Sequence, residues 1–187
     1  MLNRAGFDAV AAEAFEETRR SSRPVSALMC DIDAFRSLND RYGHGAGDGA
    51  LRNLAEVLEE SIGRRPAIIG RHGGDEFVIL LPGIDLNEAT RIAERLCEAC
   101  EARALIHQHP AAKFTISIGV GTEALGASEL GALLRQTDAA LYRAKRAGGN
   151  QVASGSGRFA QRYSTPNIER LAKARCHFLS SLAPGQA

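Results

Sequence analysis

With 187 residues the chain has room for one domain and a short appendage. It is 44% hydrophobic and 24% charged, which excludes collagen-like, coiled-coil and wholly disordered classes. Lys plus Arg number 23 against 22 Asp plus Glu, so the formal charge of +1 argues against bulk nucleic acid or a membrane surface as partner.

The first twenty residues hold no signal-peptide core, and no apolar run approaches the roughly 18 residues of a membrane span. Residues 7–20 have a helical pattern, with Phe7, Val10, Ala11, Ala14 and Phe15 apolar, and Arg23-Pro24 breaks it. VSALMCDID, residues 25–33, is a short apolar run that ends in two aspartates. It reads as a buried strand with function at its C-terminal end. Residues 34–42 suit a short helix, which Gly43, Gly45 and Gly47 interrupt. Asp48 then opens a helix with Leu51, Leu54, Ala55, Leu58 and Ile62 on one face. Ala67 to Ile69 is a short strand, and RHGGDEFVILLPG, residues 71–83, reads as a hairpin around a Gly-Gly-Asp-Glu turn.

Asp85 is placed to cap a helix over 87–104, and KFTISIGV, residues 113–120, alternates as a strand. Ser128 caps a helix over 129–147 that Gly148-Gly149 ends, and Gln151 to Ala153 is a last strand. Ser154 to Gly157 looks like a linker, and Pro166 to Leu182 one more helix. Residues 1–153 are therefore expected to form the domain, and 154–187 a linker and helical tail of unknown role. The fold class is α+β, a central, mostly antiparallel sheet flanked by helices.

Acidic residues collect at two predicted turns, Asp31 and Asp33 after one strand and Asp75 and Glu76 in the hairpin. If those strands are neighbours the carboxylates converge, and clustered carboxylates repel unless a cation joins them. Oxygen ligands select a hard ion such as Mg²⁺ or Mn²⁺, whose work is to hold phosphate oxygens. Gly73 and Gly74 let a ligand approach the backbone closely, and Lys145 near a helix end supplies a phosphate-binding charge. Surface turns use the same residue types. It is the pairing of two acidic strand ends with a Gly-Gly turn that favours a metal–phosphate site.

Cys97 and Cys100, with His107 and His109 downstream, have a zinc-like spacing. They also fall in phase with Ile92, Ala93 and Leu96, so a buried helix face is the simpler reading. Cys30 lies in an apolar run, and Cys176 completes the four cysteines. Together they indicate free thiols and a reducing, cytoplasmic setting. His44, flanked by glycines, is expected to stabilise a loop rather than act as a base.

Gly73-Gly74-Asp75-Glu76-Phe77 spells the signature of the GGDEF family, the diguanylate cyclases. DIDAFRSLNDRYGHGAGD at 31–48, FTISIGV at 114–120 and DAALYRAKRAGGN at 138–150 resemble further family motifs in the same order, and Leu2-Asn3-Arg4 resembles the end of its opening motif. The resemblance implies a palm-like nucleotide-cyclase fold that condenses two GTP to cyclic di-GMP and two pyrophosphates at the interface of a homodimer. It implies two Mg²⁺ or Mn²⁺ ions per GTP, held by Asp31, Asp75 and the Ile32 carbonyl, with Asp75 and Glu76 catalytic. By the same resemblance Asn39 and Asp48 read guanine, Phe35, His44 and Leu51 line the pocket, and Gly73, Gly74, Arg36 and Lys145 face the phosphates.

Three departures from the family pattern stand out. The inhibitory R-x-x-D is reduced to Arg64 and Ala67, with Arg95 as its supporting arginine, so little product inhibition is expected. Gly149 stands where the family usually has Arg or Lys. The opening motif is cut after Met1, so an upstream sensor or dimerising domain is expected beyond this chain. No nucleic acid or membrane contact is expected of the domain itself. The alternative reading is a weak or inactive GGDEF domain that serves as a GTP-binding or protein-interaction module.

Overall fold

Leu2–Asn3 (β1) runs straight into α1 (Arg4–Arg20), because the Asn3 side chain accepts a hydrogen bond from the Gly6 amide at 2.9 Å and caps the helix. Phe7, Ala11 and Phe15, one per turn, form its buried stripe. There follow β2 (Val25–Ile32), α2 (Phe35–Tyr42), α3 (His44–Ile62), β3 (Ile68–Gly73), β4 (Glu76–Pro82), α4 (Leu86–Arg103), β5 (Ile116–Glu123), α5 (Leu130–Arg146) and β6 (Val152–Ser156). This computed structural model describes residues 1–103, 113–123 and 129–156. The expected cap at Ser128, the histidines His107 and His109, Cys176 and the expected helix over 166–182 lie outside the described residues.

Three expected boundaries move, each for a physical reason. Only Gly43, at φ +82°, interrupts the chain between α2 and α3. Gly45 and Gly47 are helical, so α3 begins at His44 rather than Asp48. The strand expected over 113–120 runs over 116–123 instead, because its partner β2 pairs Ile32 with Ile116 and Val25 with Glu123. Ser154 to Ser156, linker-like in composition, are strand. They pair in parallel with Val120 to Thr122, whose backbone groups give them a ladder to join. The Asp85 cap of α4 is present, the Glu88 amide donating to its side chain at 2.8 Å.

Among the described residues, six strands lie in the order β1-β3-β4-β2-β5-β6. The inner pairs β3–β4, β4–β2 and β2–β5 are antiparallel, and the two outer pairs are parallel. Alternation along each strand sends side chains to two cores. Leu28, Cys30, Ile32, Phe77, Ile79, Ile116 and Ile118 face a core closed by α3 and α4. Val25, Ala27, Met29, Val78 and Leu80 face the second, closed by α1 and α5. An α+β sheet covered by helices on both faces results, with α2 and the β3–β4 turn at one end.

Candidate active site

The register of β2 against β4 sets Asp31 directly opposite Glu76. Such cross-strand partners have Cβ atoms about 5 Å apart. Asp75 precedes Glu76 in a two-residue turn, Gly74-Asp75, closed by the pairing of Gly73 with Glu76. The acidic strand end and the acidic hairpin therefore do meet. The parity that sends Val25, Ala27 and Met29 to the second core sends Asp31 to that same face, toward α5. There Lys145, in the last turn of α5, forms an ion pair with Asp31 Oδ1.

The Asp31 side chain is only 5% exposed. Burial raises its carboxyl from the usual range to about 7, the Lys145 ammonium pulls against that shift, and the charges of Asp75 and Glu76 push it further up. Asp31 Oδ1 has Lys145 as a charge partner but no aligned hydrogen bond. A buried, under-coordinated carboxylate oxygen beside two more carboxylates suits a hard cation. Among the described residues no group of three His, Cys, Asp or Glu is arranged to hold a metal ion as it stands. Magnesium does not need one, since it commonly takes one or two carboxylates and completes its shell with water and phosphate oxygens. Asp31, with the charges of Asp75 and Glu76 beside it, has carboxylates of the kind such an ion takes.

Asp33 does not join the acidic cluster, contrary to the expectation that both strand-end aspartates would. The strand stops at Ile32, and Asp33 turns aside. It accepts hydrogen bonds from Thr115 Oγ1 at 2.7 Å, Ser117 Oγ at 2.6 Å and the Asn150 amide at 2.8 Å. Asp33 thereby ties the end of β2 to β5 and to the turn after α5. Gly149, in that turn, has φ +76°, and an added Cβ would stand 3.0 Å from the Asp33 carboxylate. Glycine is thus favoured twice over at the position where a cation was expected by resemblance.

The hairpin turn has a brace that the sequence reading missed. Arg71 Nε and Nη2 both donate to the Gly74 carbonyl, at 3.0 and 2.5 Å. An arginine three residues ahead of the second signature glycine was the available signal. A register irregularity between Arg71 and Gly73 places His72 as the extra residue.

The other site candidates occupy α2 and α3. Phe35 is half-buried against the first core, and Leu51 belongs to it. Asn39 Oδ1 is buried without a hydrogen-bond partner. Asp48 is exposed, as is His44, which is the first residue of α3 and not a loop residue. Arg36 is 95% exposed, with Asp40 3.9 Å away. Of the reduced R-x-x-D residues, Arg64 is exposed in the turn after α3 and Ala67 packs against the core, while Arg95 is exposed on α4. Cys97 and Cys100 lie on the buried face of α4. Burial pushes both thiols up to about 12, and Cys97 Sγ donates to the Ile116 carbonyl at 3.6 Å.

A helix-covered sheet of this order, with the Gly73-to-Phe77 signature at its central hairpin, defines a GGDEF domain. The chain belongs to that family: the model described as "Diguanylate cyclase, GGDEF domain" matches residues 1–151. It is 34% identical over 128 residues to diguanylate cyclase A of Treponema denticola, covering 68% of this chain and 34% of the relative. It is 40% identical over 131 residues to response regulator PleD of Caulobacter vibrioides, covering 69% and 29% respectively. The chain thus spans about a third of the length of these curated relatives. Among solved structures, the active GGEEF domain of a Vibrio cholerae diguanylate cyclase superposes with a TM-score of 0.76 at 30% identity, covering 82% of this chain and 96% of that one. The GGDEF domain of Caulobacter crescentus DgcB, solved with c-di-GMP, gives 0.75 at 28% identity, covering 81% and 90%.

Proposed function

We propose that the chain is the catalytic domain of a diguanylate cyclase. The observation that carries this reading is the pairing of Asp31 with Glu76 across β2 and β4, beside Asp75 and Lys145. Two GTP molecules, one on each of two domains, exchange bonds. Each 3′-oxygen forms a bond to the α-phosphorus of the other nucleotide, and each α–β bridging bond breaks to release pyrophosphate. Cyclic di-GMP and two pyrophosphates result.

Divalent metal ions, two per GTP, would be held by Asp31, Asp75 and the Ile32 carbonyl, and would supply charge neutralisation for the phosphate oxygens. Glu76 accepts the 3′-hydroxyl proton, and Asp75 steadies the site. Gly73 and Gly74, the latter with open space where a Cβ would stand, let the triphosphate lie along the turn. Arg71 holds that turn rigid, so little reorganisation remains for the reaction. Lys145 and the exposed Arg36 take the outer phosphates, and Arg36 offsets the missing cation at Gly149. Asn39 and Asp48 read guanine, while Phe35, His44 and Leu51 flank it. Arg64 without its carboxylate leaves product inhibition weak. The domain works in the cytoplasm.

Incubation with GTP and Mg²⁺ at high protein concentration, with nucleotides separated by chromatography, tests the reading. Cyclic di-GMP is expected from the wild type and none from Asp75→Ala or Glu76→Gln. Absence of product from the wild type, even fused to a dimeriser, would sink the cyclase reading and favour a GTP-binding module.

A further inference from the structure

We propose that Lys145 is a built-in placeholder for the divalent ion: in the empty domain its ammonium occupies the Asp31 oxygen that an ion would take, and it keeps that oxygen closed until it is exchanged. The inference rests on the assignment of Asp31 as a metal ligand. Lys145 Nζ lies against Asp31 Oδ1, and the two form an ion pair. The Asp31 side chain is 5% exposed, and Oδ1 itself is buried. A carboxylate in such a place is unfavourable unless a cation stands beside it. Among the described residues no other basic group pairs with Asp31.

The two partners differ in freedom. Asp31 lies on a strand paired on both sides, opposite Glu76 in β4 and Ser117 in β5, so it cannot move away. Lys145 lies in the last turn of α5 with 37% of its side chain exposed, and its four-carbon stem has solvent to swing into. The contact is ionic and makes no aligned hydrogen bond, so no fixed geometry locks it. Lys145 is therefore the exchangeable partner. A divalent ion gains Oδ1 only by displacing it, and an ion that arrives alone leaves the ammonium beside a second positive charge. A triphosphate gives that ammonium a new anionic partner. The placeholder thus disfavours the ion alone and admits ion and triphosphate together.

The test uses Mn²⁺ alone. Wild type, Lys145→Met, Asp31→Asn and the double variant are titrated at pH 8.5 under nitrogen, with free ion counted by electron paramagnetic resonance and a thermal midpoint taken for each. The pH is set above the Asp31 value of about 7 so that protons do not replace Lys145 as the competitor. Lys145→Met is expected to bind Mn²⁺ about 10-fold more tightly than wild type, the worth of one charged contact. The gain is expected to vanish when Asp31 is also replaced. Equal or weaker binding by a Lys145→Met protein that still melts cooperatively would overturn the proposal. So would a gain of the same size without Asp31, which would mark only the removal of a charge from the neighbourhood. Breaking a buried pair lowers stability, so a second measurement uses wild type: trace acetylation of Lys145, read by mass spectrometry against the exposed Lys113, in EDTA and with Mn²⁺ bound. An ammonium released from its carboxylate reacts faster, and a rise of about 3-fold or more is expected. An unchanged rate with Mn²⁺ bound would leave Lys145 on Asp31 and overturn the exchange. No Mn²⁺ bound by wild type or Lys145→Met would overturn the proposal together with the metal assignment. No nucleotide is present, so failure of the placeholder and failure of the cyclase assay are told apart.

Discussion

Asp31 and Asp33, two residues apart, have opposite fates. Asp31 is sealed under α5 with its carboxyl raised to about 7 by burial, against the partial relief of Lys145. In the folded, metal-free chain its proton is therefore held more tightly than in the unfolded chain. Its contribution to stability is full below the ordinary aspartate value of 3.8 and is lost as pH rises through about 7. Asp31→Asn removes that loss. In EDTA its melting temperature is expected to rise relative to wild type between pH 5 and pH 8, and a pH-independent difference would contradict the assignment. Asp33, by contrast, is satisfied by two hydroxyls and one amide. Asp33→Ala leaves those donors without their charged acceptor and is expected to cost about 2 kcal/mol in urea unfolding. The turn that carries Gly149 and Asn150 loosens with it.

At the scale of elements, the seat of α5 on β5 decides where Lys145 ends up. Gly119 and Gly121 alternate on the β5 face that α5 covers. A Cβ on Gly119 would overlap the backbone of Thr137 and Leu141, with Leu141 Cα 2.9 Å away. Backbone does not step aside as a side-chain tip does. Gly119→Ala is therefore expected to destabilise the domain by about 2–3 kcal/mol, the upper range for overpacking, read as a lower urea midpoint. It should also weaken GTP binding, because α5 carries Lys145. The alternating glycines of FTISIGVGT were legible in the sequence, whereas the helix they receive was not, since nothing local names the element that will cover a strand.

For the whole molecule, the proposed reaction needs two domains to meet, so specific activity is expected to rise with protein concentration until the dimer saturates. A fused dimerising segment should remove that dependence. Cyclic di-GMP is expected to accumulate until GTP is exhausted, because Ala67 supplies no carboxylate to an inhibitory site beside Arg64. A plateau at low product, followed by chromatography over time, would show that inhibition persists by another route.

Apart from β1, which the sequence reading did not contain, and the merging of the 67–69 strand with the first hairpin strand into β3, the order of helices and strands, the hairpin and the family were readable from the chain itself. Local periodicity and turn chemistry act over a few residues, and the motifs stand whole in the sequence. Boundaries moved where a distant partner overruled composition: β6 grew through a Ser-Gly-Ser segment because β5 offered it a ladder, and β5 shifted to match β2. Two glycines expected to break a helix became part of one, because tertiary packing outweighs a cost of about 1 kcal/mol per residue. The carboxylates that could gather were visible in the sequence, but which of them do gather was not. That choice follows from strand register and face parity, which set Asp31 against Glu76 under Lys145 and turn Asp33 away. Register is fixed by pairing between residues some 45 positions apart, and only the folded chain brings them together.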